Sequence, residues 1–143
     1  MKLTLTRRFT FEMAHALEGY DGLCSHIHGH SYKLFITISG TPSIDSQSPK
    51  EGMIIDFSDL KRIVNDTVLS HYDHALMLRS SSTELIAAIR KEWDRVIEVD
   101  FQPTCENLIV EIYTRLKSAL PQSVELSEIR LYETENSYAT LRP

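Results

Sequence analysis

The sequence predicts an α+β fold, an antiparallel sheet covered on one face by helices. Near the N-terminus Leu3, Leu5, Phe9, Phe11 and Met13 are apolar at odd positions, interrupted by Arg7, while Thr4, Thr6, Arg8, Thr10 and Glu12 take the other parity. That alternation is the period of a strand with one covered face. Near the C-terminus ELSEIRLYET repeats it, with Ile129, Leu131 and Glu133 on one parity, and SYATL can return beside it as a hairpin. Between these ends the apolar residues recur at helical spacing. Strands at both ends of a chain, with helices mostly between them, put the helices on one face of a shared sheet.

In chain order, the first strand runs from Leu3 to Met13, and His15 falls on its covered parity if it continues regularly. The second carries Tyr32, Leu34, Ile36 and Ile38, with His28 and His30 on the same parity at its start. GTPSIDSQSPKEG, Gly40 to Gly52, is rich in turn formers and is expected to be a solvent-facing loop. MIIDF is expected to begin a short strand and turn into a helix over Ser58–Leu69, with Leu60, Ile63, Val64 and Thr67 on one face and Asp56 or Ser58 capping the entrance. A shorter helix is expected over Thr83–Trp93, burying Leu85, Ile86 and Ile89, followed by VIEVDF as a strand or extended connector. Pro103 and Thr104 open the clearest helix, whose apolar face Leu108, Ile109, Ile112, Tyr113, Leu116 and Leu120 ends at Pro121.

The chain has 143 residues, 42% of them hydrophobic, which suits a single domain over residues 1–143 with a real core. No repeat or low-complexity segment divides it. Fifteen Lys and Arg stand against 20 Asp and Glu, a formal net charge of -5 with no basic block. Nucleic acid is therefore not an expected partner, since sequence-independent affinity rests on clustered positive charge; a phosphorylated small molecule held at a local site is compatible. No apolar run is long enough to span a bilayer and no signal-like apolar core opens the chain, so no membrane association is expected. Cys24 and Cys105 lie far apart and form no CxxC pattern, consistent with a reducing compartment, the cytoplasm.

The chemistry concentrates in CSHIHGHSYKLFI, Cys24 to Ile36. If the first two strands pair as a hairpin, His15 approaches His28 and His30, whose alternate spacing points both side chains to one face. Three imidazoles suit zinc and leave a fourth tetrahedral position for water or substrate. His26 shares the parity and is an alternative ligand on periodicity alone. Cys24 lies close enough to face the open metal position as a general base or nucleophile; the rival is a closed structural site in which Cys24 joins the three histidines. Asp73 and His74 are adjacent, so their cooperation as an orienting carboxylate and proton shuttle requires an irregular backbone, and His71 is an alternative base. Glu133 puts a carboxylate at the rim of the covered face, where it can accept paired N–H donors from a heteroaromatic ring. Glu106, just inside the helix opened by Pro103 and Thr104, can simply complement the helix dipole.

FTFEMAHAL, CSHIHGHSYKL, GMIIDFSDLK, YDHALML, PTCEN and LYETENS, in that order through nearly the whole chain, resemble the 6-pyruvoyl-tetrahydropterin synthase family. They are most similar to its bacterial 6-carboxy-5,6,7,8-tetrahydropterin synthase branch, which serves queuosine (7-deazaguanine) biosynthesis. The spacing from Cys24 to His28 matches that branch better than the longer spacing of the biopterin-producing enzyme, and the cysteine sets it apart from the branch with glutamate there. The resemblance implies the tunnelling fold, in which neighbouring subunits complete a barrel, commonly as a homohexamer of two trimers with active sites at subunit boundaries. It implies His15, His28 and His30 as ligands of Zn2+, Cys24 as catalytic base, and Asp73 with His74 as a proton-transfer pair. Glu133 then anchors the pterin ring, with Thr104 and Glu106 in the region that positions it.

The implied reaction converts 7,8-dihydroneopterin triphosphate to 6-carboxy-5,6,7,8-tetrahydropterin, acetaldehyde and triphosphate. The alternatives are a 6-pyruvoyl-tetrahydropterin synthase, which eliminates triphosphate without releasing acetaldehyde, and a nonenzymatic zinc-binding assembly protein. The segment MLRSSSTELIAAIRKEWDRVIEVDFQ, residues 77–102, departs from the compact members of the family and can alter an interface or a pocket.

Overall fold

A computed structural model describes all 143 residues. Its centre is the hairpin of β1 (Leu3–His15) and β2 (His28–Gly40), antiparallel along both strands, with Leu3 opposite Gly40 and His15 opposite His28. On the far side of β2 lie β5 (Glu125–Tyr132) and β6 (Tyr138–Leu141), also antiparallel, with a bulge in β5 at Ser127, opposite Thr37 and Ile38. On the far side of β1 lie β3 (Ala75–Arg79) and β4 (Val96–Val99), giving the order β4-β3-β1-β2-β5-β6. These last two strands run parallel to β1, so the sheet is mixed where alternation predicts a wholly antiparallel one. The segment ALMLR is too short and too uniformly apolar to announce a strand by periodicity, and its pairing depends on a helical crossover from β3 to β4. That crossover is α3 (Thr83–Ile89), which ends before the predicted Trp93 and buries Ile86, leaving Leu85 exposed.

The covered face follows the predicted parity. Phe9, Phe11 and Met13, then Tyr32, Leu34, Ile36 and Ile38, then Ile129 and Leu131 pack beneath the helices. Phe11 and Tyr32 stack with ring centroids 4.9 Å apart. From above they meet Leu108, Ile109, Ile112 and Leu116 of α4 (Cys105–Ala119). Thr104 caps α4 by accepting the Asn107 N–H at 3.3 Å, and Pro121 follows its end.

The other covering segment begins as α1 (Phe57–Val64), capped by Asp56, whose carboxylate accepts the Ser58 N–H at 2.8 Å. It opens into a π-helical stretch, Asn65–Leu69, before the short α2 (Ser70–Tyr72). Leu60, Val64, Val68 and Tyr72 are all fully buried. A strict four-residue repeat drifts around an α-helix of 3.6 residues per turn; the wider turns hold it against the sheet. This is why Val68, not the predicted Thr67, is the fully buried one.

The short strand expected at MIIDF is absent. Hydrogen bonds from Ser43 N–H to the Met53 carbonyl (2.9 Å) and from Gly52 N–H to the Ser43 carbonyl (2.8 Å) tie it to the preceding loop. Ile54 instead presses on Gly40, where an added Cβ would lie 2.6 Å from its methyl group. No helix is long and apolar enough to cross a membrane.

One edge of the central hairpin is open. β3 reaches β1 only at Met13–His15, and just before it the backbone of Glu12 faces outward, its N–H to the Asp73 carboxylate (2.9 Å) and its carbonyl to the His74 N–H (2.6 Å). By the alternation of a strand, Thr10, Arg8, Thr6 and Thr4 direct their backbone groups to the same side, where no strand lies beside them.

Candidate active site

The register of the hairpin creates the centre of the site. His15 and His28 are directly opposed, and His30, paired with Met13, projects from the same face two residues on. The donor nitrogens of the three imidazoles lie within 4.8 Å of one another. His15 is buried and its Nδ1–H donates to the Pro103 carbonyl at 2.6 Å. His28 does the same toward the His26 carbonyl at 2.7 Å. Both rings are thereby held with an unprotonated Nε2, and those two nitrogens face one another at 3.0 Å.

Two lone pairs aimed at each other at hydrogen-bond distance repel unless a cation lies between them. The Nε2 of His30 is buried and has no hydrogen-bond partner. Burial, outweighing the nearby Glu133 carboxylate, holds His15 and His30 below the ordinary imidazole value and favours the neutral form that ligates metals. Tetrahedral zinc with bonds of about 2.0–2.1 Å separates its donors by about 3.3 Å, so the donor set and its carbonyl-anchored tautomers fit a metal ion.

His26 is not among these donors. It lies at the end of a single 3-10 turn, Leu23–Ser25, outside β2, so the parity argument does not extend to it; its carbonyl, not its ring, serves the site. Cys24 is also outside the donor cluster. It sits half-buried in that turn and contributes to the wall of a cavity of about 340 Å³. His15, Thr104, Glu106 and Glu133 line the same cavity. This separation disfavours a closed site in which the thiol completes the metal's shell.

Glu133 stands at the hairpin between β5 and β6, its N–H bonded to the Ser137 carbonyl at 3.1 Å. Its carboxylate is one quarter exposed and lies 3.7 Å from His30 Nε2, so it reaches from the metal cluster toward the open cavity. Glu106 is exposed in the first turn of α4, where it also complements the helix dipole. Residues not singled out from the sequence complete the wall: Tyr20, Leu17, Cys105, Ser137, Tyr138 and Ala139. Burial pushes the Cys105 thiol up to about 11, with Glu133 adding to the effect. The Pro103 and His26 carbonyls are backbone atoms, and no side-chain pattern marks them.

Asp73 and His74 form a pair, with Oδ1 and Nδ1 3.1 Å apart. Adjacent side chains meet here because His74 takes a left-handed backbone, φ 60°. Arg95 braces the turn by donating to the Asp73 carbonyl at 2.8 Å and the Ser70 carbonyl at 2.9 Å. Weak burial opposes it, but the Glu12 N–H and His74 keep the Asp73 carboxyl below the usual range. His74 is largely exposed in a separate recess with Glu12, Gly29, His30 and Ser31, which neither Cys24 nor Glu133 lines. Within one chain the pair and the thiol are therefore not brought together. His71, the alternative base, is engaged elsewhere, accepting from Arg115 Nη2 at 3.1 Å.

The sequence pattern of the family described as 6-pyruvoyl tetrahydropterin synthase matches residues 4–143. A 6-carboxy-5,6,7,8-tetrahydropterin synthase of Haemophilus influenzae is 36% identical over 137 residues, covering 94% of each chain. A protein of the same description from Rickettsia typhi is 29% identical over 93% of this chain and 95% of its own. Among solved structures, the Caenorhabditis elegans 6-pyruvoyl tetrahydropterin synthase superposes with a TM-score of 0.70 at 24% identity, over 100% of this chain and 96% of that one. An uncharacterized protein, WS1659, from Wolinella succinogenes gives 0.73 at 19% identity, over 99% and 98%. These last two likenesses establish the tunnelling fold, its curled sheet carrying helices on one face.

Proposed function

The chain belongs to the 6-pyruvoyl tetrahydropterin synthase family, and on that premise we propose that it is a zinc-dependent 6-carboxy-5,6,7,8-tetrahydropterin synthase of queuosine biosynthesis. Its substrate is 7,8-dihydroneopterin triphosphate, converted with water to 6-carboxytetrahydropterin, acetaldehyde and triphosphate. The observation that supports this most directly is the convergence of three imidazoles, one of which, His15, lines a cavity that also presents Cys24, Glu106 and Glu133.

His15, His28 and His30 would hold Zn2+, which supplies Lewis acidity to offset negative charge developing on the substrate's side-chain oxygens. The Pro103 and His26 carbonyls keep two of the rings in the ligating tautomer. Glu133 accepts paired N–H bonds from the pterin ring, and Thr104 and Glu106 border the place where that ring lies. Fixing the ring spends binding energy on aligning the side chain, so that Cys24 meets the carbon-bound proton it removes. His74, oriented by Asp73, moves a second proton.

That second role requires another copy of the chain. The open edge of β1 offers unpaired backbone groups to a neighbouring sheet, as expected of a subunit in a homohexamer of two trimers. A partner subunit's Asp73 and His74 can then complete the cavity of the first chain. Residues 1–143 act as one domain, and the two unpaired thiols suit the cytoplasm.

Product analysis tests the reading. Purified protein with zinc and dihydroneopterin triphosphate is expected to yield acetaldehyde and 6-carboxytetrahydropterin in equal amounts. A pyruvoyltetrahydropterin product would assign the other branch of the family, and turnover of neither kind would refute the proposed activity.

A further inference from the structure

Cys24 stands in a loop, Ala16–Ile27, that has little structure of its own. A hydrogen bond from Leu17 N–H to the Cys24 carbonyl at 2.8 Å closes it beside the 3-10 turn. The segment 77–102 holds this loop at three points. The Gln102 side chain accepts from the Glu18 N–H at 3.0 Å and donates through Nε2 to the Glu18 carbonyl at 2.6 Å, so a single amide satisfies both backbone groups of one residue. Ser81 Oγ donates to the Glu18 carboxylate at 2.5 Å. Ala16 is buried against Leu78 and Ile86 in a small apolar cluster separate from the main core.

We propose that Gln102 is a positioning residue for catalysis and that the segment 77–102 exists to hold the Cys24 loop in register with the metal centre. The next residue, Pro103, fixes His15 through its carbonyl. Asn107 in turn donates to the Gln102 carbonyl at 2.9 Å, tying the strap to the first turn of α4. The thiol and the metal ligand thus take their positions from consecutive residues of one rigid connection. A shift of about 1 Å in a reacting group can cost about a hundredfold in rate, which is the scale on which such a clamp matters. This inference rests on the reading of Cys24 as the base.

The test compares the holoenzyme with Gln102→Leu, which removes both hydrogen bonds, and Gln102→Glu, which keeps the acceptor but loses the donor. In Gln102→Leu, deuterium exchange at the Leu17 and Glu18 amides should accelerate at least about tenfold. Alkylation by iodoacetamide, followed on the Cys24 peptide, should change in rate by at least about threefold. The kcat should fall about 10–100-fold with KM little altered and zinc content unchanged. Gln102→Glu should be intermediate, and it decides the matter alone if the leucine variant does not fold. A lowered melting temperature with unchanged kcat, exchange and alkylation would overturn the proposal, leaving Gln102 a purely structural residue. If the wild-type protein makes no pterin product, the proposed activity fails instead, while exchange and alkylation still decide whether Gln102 clamps the loop.

Discussion

Two histidines of the cluster, His15 and His28, are defined by what their other nitrogen does. His28→Asn removes one of three converging donors and should lower bound zinc from near one per chain to about a tenth or less, measured by elemental analysis after dialysis. Cys24→Ala should keep its zinc and lose product formation about 10²–10⁴-fold, the range for a displaced general base; loss of zinc in that variant would instead make the thiol a ligand. Glu133→Gln keeps shape but exchanges an acceptor for a donor, so KM should rise about tenfold or more; unchanged substrate affinity would remove it as the ring anchor. The residue types were legible in advance because His15, His28 and His30 share a parity. Choosing His28 and His30 over His26 was not legible from alternation, since that depends on where the 3-10 turn hands over to β2.

At the scale of elements, the segments with strong local periodicity were readable: β1, β2, β5 and α4 obey their patterns, and Asp56 and Thr104 cap where expected. Elements fixed by distant partners were not. β3 is a strand because β1 and β4 accept it in parallel, and Met53–Asp56 is not one because its hydrogen bonds go to Ser43. The π-helical stretch was hidden for a similar reason, since its wider turns follow the sheet it covers. Ile112 lies fully buried between α4 and the sheet, so Ile112→Ala should cost about 2–5 kcal/mol of stability in denaturant titration.

Histidine also makes the fold's stability depend on pH. Burial, then the adjacent Arg115, holds His71 below its ordinary value of 6.5, and burial does the same to His15 and His30. The unfolded chain binds protons first as pH falls, so metal-stripped protein should lose stability from about pH 6.5 downward until the native rings protonate too. His71→Asn should flatten part of that slope in thermal melts across pH 5–7; an unchanged slope would mean His71 does not contribute.

For the whole molecule, the open edge of β1 is the feature that a single chain leaves unresolved. Thr10→Pro deletes an N–H that points to this edge and is not used within the chain, so it should weaken assembly more than folding. Size-exclusion chromatography with light scattering should then show smaller species, and activity should fall with them; a full-sized, active assembly would place the contact elsewhere. The sequence did not disclose this edge, because an unpaired side of a strand has the same alternation as a paired one.

The placement of Asp73 and His74 away from the thiol on the same chain has a genetic corollary. Preparations of Cys24→Ala and His74→Ala, each inert by itself, should regain turnover when co-folded, with about a quarter of the sites pairing two intact halves if subunits mix at random. Such rescue between defective partners is the signature of a protein whose chains must share their chemistry.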